Sequence, residues 1–367
     1  MVRPYQFNMG AWEVSALFDR VKQKASLDLP EESQQSQIVV NFFQDRSQLE
    51  SLNTGAAAAT SQDQIDKLKK SLDELRPEVE AVLSGQISRV LADQGIFNPM
   101  GDNLKFTFPP VSFNLESNLN ILMISPRESI QRLTDFTIKP DISTADAEKL
   151  ETALQTQNLS ALVIPIGGLG AAYPSFVIET SDLQFTLDVV AEEWLHQYLA
   201  FKPLGFRYVL NLLGFSTDKD IPTINETVAG IASQEIGDLV YSRYYSQYFP
   251  QADSTANGQI PARFDFNAAM RETRLQVDQL LAQGKYQEAE SYMEQRRVYI
   301  NQNGYNIRKL NQAYFAFYGS YAYSPTSVDP IGNDLRALRK NSATLQQFLD
   351  EASGITGRKD LTKLIAK

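Results

Sequence analysis

The residues best suited to chemistry lie in one short run near the middle of the chain, "VVAEEWLHQYLAF" (residues 189–201). This run contains His196, the single histidine of the 367-residue sequence. On a helix, side chains four residues apart share one face, so Glu192 and His196 could both reach one metal ion. Glu193 would point to the adjoining side. Carboxylate and imidazole are both accepted as zinc ligands, so the spacing predicts a metal site here.

A second motif follows in "INETVAGIASQE" (residues 224–235), and the two together resemble the gluzincin clan of zinc metallopeptidases. The resemblance implies that Glu226, within the Asn225-Glu226-x-x-Ala229 pattern, is the third metal ligand. It also implies that Glu193 is the general base acting on a metal-activated water during peptide hydrolysis. The segment "YPSFVIET" (residues 173–180) would be the edge strand that pairs with an extended peptide or protein substrate.

Two positions depart from the pattern of that clan. Glu192 stands where the first histidine ligand is expected, and Gly230 follows Ala229 where such families often carry an acidic residue that orients the histidine. A site of two carboxylates and one imidazole accepts zinc, the expected divalent metal, but manganese or iron become competitors. The more electron-rich metal would be a weaker Lewis acid, so we expect slower hydrolysis.

Hydrolysis of an amide also needs a hydrogen-bond donor for the developing oxyanion. The tyrosine-rich segment "LNQAYFAFYGSYAYSP" (residues 310–325) offers Tyr314, Tyr318 and Tyr321 as such donors, and Tyr318 and then Tyr314 are the preferred candidates. Tyr314, Phe317, Tyr318 and Tyr321 share one helical face, a spacing that equally fits an aromatic stripe packed in the core.

Three hypotheses follow from these residues. The first is an active metal-dependent peptidase, in which Glu192, His196 and Glu226 converge on a metal. The second is a catalytically dead, peptidase-like binding protein that keeps the cleft without the metal. The third is a helical scaffold with an accidental motif, for which Glu226 should lie far from His196.

Composition excludes several other classes of protein. The net charge of −10 and the lack of basic clusters argue against a nucleic-acid partner. The absence of cysteine excludes disulfides, thiolate catalysis and iron–sulfur clusters. No uncharged run is long enough and free enough of glycine and proline to predict a membrane segment. We expect a soluble chain, which would also suit the extracytoplasmic part of a membrane-anchored protein; the compartment and oligomeric state stay open.

The pattern of apolar residues divides the chain into three regions. Residues 11–100 have helical periodicity, including "AWEVSALFDRVKQKA" (residues 11–25) and a helix with Ile65, Leu68, Leu72 and Leu75 on one face. Residues 105–180 alternate as short strands, which predicts a small sheet. Helical periodicity then returns for the rest of the chain.

We therefore predict an α+β, predominantly helical protein with a zincin-like catalytic domain. The predicted regions are an N-terminal helical region at 1–103, a metallopeptidase-like core at 104–250, and a C-terminal helical region at 251–367 that completes the cleft.

Overall fold

The computed structural model describes residues 2, 29–54, 62–99, 105–116, 119–139, 142–169, 172–248 and 264–366. Twelve helices and six strands lie in this part of the chain, so the predicted α+β, predominantly helical class is confirmed. The helix predicted for residues 11–25 lies outside the described residues.

The first described elements are α1 (Glu32–Thr54) and α2 (Gln62–Asp93), which pack against each other. Ile65 and Leu72 are buried on the inner face of α2, as their spacing predicts, and Leu68 and Leu75 are partly buried beside them. The carboxylate of Glu80 on α2 accepts the backbone N–H of Leu115 at 2.7 Å and so ties the helix to the first strand.

The predicted small sheet is in fact two three-stranded sheets. The first has the order β3-β2-β4 and is antiparallel, formed by β2 (Leu119–Pro126), β3 (Thr134–Ile138) and β4 (Leu159–Ile166). Helix α3 (Thr144–Gln155), which the sequence patterns did not indicate, packs on this sheet.

The second sheet has the order β1-β6-β5. Strand β6 (Ser175–Ile178) runs parallel to β1 (Phe113–Glu116) and antiparallel to β5 (Gly168–Leu169). The prediction that "YPSFVIET" forms the edge strand is therefore wrong, because β6 is paired on both sides. The edge strands of this sheet are β1 and β5.

Three helices follow: α4 (Leu183–Ala200), α5 (Pro203–Leu212) and α6 (Asp220–Tyr244). Helices α4 and α6 pack along each other through fully buried side chains such as Leu195, Leu199, Val228 and Ala232. Their core continues into α1, α2 and the C-terminal helices, so it draws on all three predicted regions. The relative position of α4 and α6 is therefore fixed by this shared core.

The C-terminal part contains α7 (Phe266–Ala282), α8 (Tyr286–Gln302), α9 (Gln312–Tyr318), α10 (Ile331–Asn341), α11 (Leu345–Ser353) and α12 (Arg358–Ile365). Helices α7 and α8 form a hairpin whose turn contains Gly284 at φ +72°. Within the described residues, no helix combines the length and apolar character needed to cross a bilayer.

A buried ion network joins α3 to the segment before α9. The side chain of Glu151 has no exposed surface; it accepts the backbone N–H of Val163 at 2.9 Å and pairs with Arg308 and Lys309. Removing one partner of such a network leaves buried charge uncompensated. The two basic residues thus belong to this structural contact.

We expect Glu151→Ala to lower the free energy of unfolding by about 3–5 kcal/mol. As a control, Lys149→Ala removes an exposed ion pair with Asp146 on the same helix and should change stability by less than about 0.5 kcal/mol. Urea denaturation measures both. Equal effects of the two substitutions would contradict the structural role of the network.

Candidate metal centre

Helix α4, which carries Glu192, Glu193 and His196, is held in position by hydrogen bonds from other residues along it. At its start the Asp182 side chain accepts the Phe185 backbone N–H at 3.0 Å, a standard N-terminal cap. Trp194 donates its indole N–H to the Pro109 carbonyl at 2.7 Å, and Gln197 donates to the Ala172 carbonyl at 2.8 Å. These bonds set the rotation of the helix about its axis.

Glu192, His196 and Glu226 come together between α4 and α6. One potential ligand atom from each residue lies within 4.8 Å of the other two. Nε2 of His196 is 3.5 Å from Oε2 of Glu226, and the two side chains are only 16% and 11% exposed. Ligand atoms around a tetrahedral zinc at about 2.1 Å are about 3.4 Å apart. The His196–Glu226 separation fits this geometry, and the Glu192 carboxylate lies within 4.8 Å of both.

The His196 ring is oriented by Asn225, a residue to which the sequence assigned no separate role. Nδ1 of His196 lies 3.0 Å from the amide oxygen of Asn225. Because this oxygen only accepts, Nδ1 carries a hydrogen and Nε2 faces Glu226. Asn225 thus orients the His196 ring through the nitrogen that does not face Glu226.

Tyr208 on α5 is a second residue that the sequence patterns did not single out. Its hydroxyl donates to Oε1 of Glu226 at 2.5 Å, and its ring stacks on the His196 imidazole with centroids 5.9 Å apart. Burial and the charge of Glu226 raise the pKa of Tyr208. Only its position soon after the motif could have pointed to it, and tyrosine is too common in this chain for that signal to be specific.

The charges at the site are strongly coupled. Burial acts to raise the pKa of Glu226, but the charge and hydrogen bonding of His196 and the hydrogen bond from Tyr208 outweigh it and lower the pKa. Burial acts to lower the pKa of His196, but Glu226 opposes it and, with Glu193 and Glu192, raises the pKa to about 10. In the metal-free protein, His196 and Glu226 therefore form an ion pair.

Glu192 has a buried carboxylate oxygen that lacks a hydrogen-bond partner, as expected of a metal ligand. Its Oε1 atom is buried and has no hydrogen-bond partner among the described residues. Burial raises the pKa of Glu192 to about 8, with His196 opposing the shift and Glu193, Glu226 and Asp188 adding to it. Buried polar atoms normally have partners, so this orphaned oxygen fits a metal ligand. The three residues present are a suitable donor set for a divalent cation.

Glu193 lies beside the site, against the edge strand β5. A Cβ atom added to Gly168 would fall 2.4 Å from Oε1 of Glu193 and 2.6 Å from its Cγ. Glycine at this position therefore lets the strand backbone approach the carboxylate closely. As a result, a chain lying along β5 would pass next to Glu193.

The later tyrosines of the tyrosine-rich segment, Tyr321 and Tyr323, interact electrostatically with the carboxylates of the site. Tyr314 and Tyr318 lie on α9 with ring centroids 4.5 Å apart, and both pack beside the cluster formed by β2 and β4. Burial raises the pKa of Tyr321, and the carboxylates of Glu226, Glu192 and Glu193 raise it further. Tyr321 is thus the tyrosine of this segment whose pKa is raised by all three site carboxylates.

Tyr323 occupies the space left by the absent side chain at Gly230. A Cβ at Gly230 would lie 2.2 Å from the Tyr323 ring and 2.6 Å from its hydroxyl oxygen. Burial and then the charges of Glu192 and Glu226 raise the pKa of Tyr323. Glycine at position 230 therefore leaves room for the Tyr323 ring and its hydroxyl beside α6.

No protein family, curated protein or solved structure matches this chain. The case for a function rests on the geometry of the site and on the chemistry of its residues.

We expect the metal-free protein to lose stability as pH rises from about 6 to about 9. Glu192 has a folded pKa of about 8 against an ordinary 4.5, and His196 has about 10 against 6.5. In both cases the folded state holds its proton in a range where the unfolded state has lost it, so raising the pH favours unfolding. Thermal melts of chelator-treated protein test this.

Glu192→Gln removes one of these titrations, so its melting temperature should depend less steeply on pH over the same range. Glu148→Gln, an exposed change of the same type on α3, is the control and should leave the slope as it was. A stability that rises between pH 6 and 9 would contradict the charge arrangement described here.

Proposed function

We propose that this protein is a metal-dependent peptidase, and that Glu192, His196 and Glu226 hold the metal. The observation that carries the proposal is the convergence of these three side chains in a nearly buried site, with Glu193 alongside. A divalent metal bound there would polarise a water molecule and the carbonyl of the scissile bond. Zinc is the expected metal, with manganese and iron as competitors for an oxygen-rich donor set.

The chain's own residues have distinct roles in this proposal. Glu193 accepts the proton of the attacking water and later delivers it to the leaving amine. Asn225 holds the His196 ring, and Tyr208 holds Glu226. Tyr318 and then Tyr314 are the preferred donors to the oxyanion, and Tyr321, whose pKa the site carboxylates raise, is a third candidate.

The peptide substrate would lie along the open edge of β5. Within the described residues this edge has no strand paired to it, whereas the other edge pairs with β6. An extended peptide can add to such an edge through backbone hydrogen bonds, which are independent of its sequence. Glu193 lies against the same strand, so the added peptide would run past the general base.

Two alternatives remain as hypotheses, a catalytically dead peptidase-like binding protein and a helical scaffold with an accidental motif. The 3.5 Å distance between His196 and Glu226 favours the active peptidase and the dead binding protein over the scaffold. The scaffold hypothesis requires these residues to lie far apart. Glu192 is the residue that decides between an active and a dead enzyme, because it replaces a neutral ligand with an anionic one and weakens the metal as a Lewis acid.

Metal content tests the proposal directly. After incubation with zinc and gel filtration, we expect about one metal ion per chain, and at least about a tenfold loss of affinity in Glu226→Gln. Glu148→Gln should bind as the parent does, since it lies on an exposed face of α3. Mass spectrometry of metals and calorimetric titration give both quantities.

The variant Glu192→His separates the alternatives. Metal in both proteins supports the peptidase, metal only in the histidine variant supports a site disabled by Glu192, and metal in neither contradicts a metal centre. In the last case the scaffold hypothesis takes its place.

Gly168→Ala tests the position of the general base. The added methyl group displaces the Glu193 carboxylate, and a displacement of about 1 Å is expected to lower kcat/KM by about 100-fold while metal content is unchanged. Gly85→Ala, which meets no atom within 4 Å, is the matched control. Cleavage of a mixture of unstructured peptides, followed by mass spectrometry, measures turnover. Equal activity of the two alanine variants would remove Glu193 from the proposed role.

A further inference from the structure

Helix α5 is apolar on the face that it turns away from the protein. Its inner face buries Leu204 and Gly205, with Tyr208 directed to the metal centre. The opposite face carries apolar side chains at i, i+3, i+4 and i+7 spacing, namely Phe206, Val209, Leu210 and Leu213. A helix that is apolar on both faces is normally buried on both. Here the outer face is open, with Phe206 58% exposed and Leu213 64% exposed.

The turn that follows α5 exposes more apolar surface on a well-ordered backbone. Phe215 N–H donates to the Leu210 carbonyl at 2.9 Å and Gly214 N–H to the Asn211 carbonyl at 3.0 Å, which is the hydrogen-bond pattern of a Schellman motif. In that motif the side chain at position 215 usually packs back on the helix. Phe215 is instead 78% exposed, and Leu212 beside it is 54% exposed. The exposed side chains therefore lie on a turn whose backbone is held by hydrogen bonds.

We use the term apolar tip for the exposed side chains of Phe201, Phe206, Leu212, Leu213 and Phe215, together with α5 between them. Five large apolar side chains exposed within residues 201–215 exceed the scattered exposure normal for a soluble surface. Such a concentration indicates a surface that binds another apolar phase or partner.

The charge around the apolar tip differs in sign from the charge of the chain. Lys202, Arg207 and Lys219 lie in or next to the tip, and Arg207 and Lys219 are exposed. None of the three forms an ion pair with another described residue. The acidic residues of this stretch are Asp218 and Asp220, and Asp218 accepts the backbone N–H groups of Asp220 and Ile221 at the start of α6. Residues 201–220 therefore carry three basic and two acidic side chains, a small excess of positive charge on a chain of net charge −10.

We propose that the apolar tip docks this protein on the surface of an anionic lipid bilayer. Aromatic and aliphatic side chains would enter the interfacial region, while Lys202, Arg207 and Lys219 would contact lipid headgroups. A bilayer accepts exposed apolar side chains without the preformed cavity that a protein partner would need for each of them. The local positive charge favours anionic lipid, and it directs this surface towards the bilayer while the acidic remainder of the chain is repelled.

Docking through this tip has a consequence for the metal centre. Tyr208 lies on α5 and Leu213 directly follows its last residue, so the two are about 8 Å apart along the helix axis at 1.5 Å per residue. The tip would therefore hold the centre close to the bilayer surface. Resting on the proposed peptidase function, this favours substrates whose cleavable segment lies near a membrane.

Vesicle co-sedimentation of the full chain tests the proposal. We expect binding to vesicles made of equal amounts of phosphatidylcholine and phosphatidylglycerol, and much weaker binding to vesicles of phosphatidylcholine alone. High salt should reduce the bound fraction, because it screens the headgroup attraction. The readout involves no peptide hydrolysis, so its failure would leave the proposed function standing, and the reverse also holds.

Two matched pairs of variants locate the binding surface. Leu213→Ser with Phe215→Ser should weaken vesicle binding at least about tenfold, whereas Leu275→Ser with Val298→Ser, exposed apolar residues of α7 and α8, should not. Arg207→Glu with Lys219→Glu should abolish the preference for anionic lipid, whereas Lys70→Glu with Lys363→Glu makes the same change of net charge on distant exposed sites. Circular dichroism confirms that each variant is folded.

Three results would overturn the proposal. The first is no binding to anionic vesicles. The second is binding that the tip variants reduce no more than their controls do. The third is self-association of the chain that Leu213→Ser with Phe215→Ser abolishes while vesicles bind nothing, which would assign the tip to contact between copies of this chain.

Discussion

The pairing of His196 with Glu226 across the α4–α6 interface is the interaction on which the site depends. Two ionisable groups are held 3.5 Å apart in a place that is nearly closed to water. Burial of this kind is costly unless each charge has a partner. The apolar packing of α4 on α6 offsets the free-energy cost of burying these charges. This packing includes Leu195, Val228 and Ala232. The apolar packing of the two helices therefore holds the His196 and Glu226 side chains in contact.

Three neighbours of this pair have roles that follow from their chemistry. Asn225 fixes the imidazole through Nδ1, Tyr208 fixes the carboxylate through Oε1, and Glu192 completes a three-sided donor set with an oxygen that has no other described partner. In the absence of metal, protons stabilise the cluster, since both Glu192 and His196 have raised pKa values. A divalent cation would replace those protons, so metal affinity should increase with pH.

The parts of the site that sequence could supply are those set by helical spacing. Glu192 and His196 are four residues apart on α4, and Glu226 lies in a second short motif on α6, so their convergence was predictable. Asn225 and Tyr208 were not predictable, because an amide and a phenol are common residues whose roles depend on tertiary contacts. The edge strand was assigned wrongly since alternation of apolar residues reports the faces of a strand and not how many strands flank it. The close approach of Gly168 to Glu193 could not be predicted either, because the contact is made by the glycine backbone and leaves no pattern of side chains in the sequence. The placing of Tyr318 and Tyr314 as oxyanion donors stays a prediction.

Anomalous X-ray diffraction from zinc-soaked crystals, measured at the zinc edge, would test the central claim most directly. The account predicts one strong anomalous peak bounded by Glu192, His196 and Glu226, at about 2.0–2.2 Å from an oxygen or nitrogen of each. A peak elsewhere, or a site that contains only the His196–Glu226 ion pair while zinc is present in excess, would contradict it.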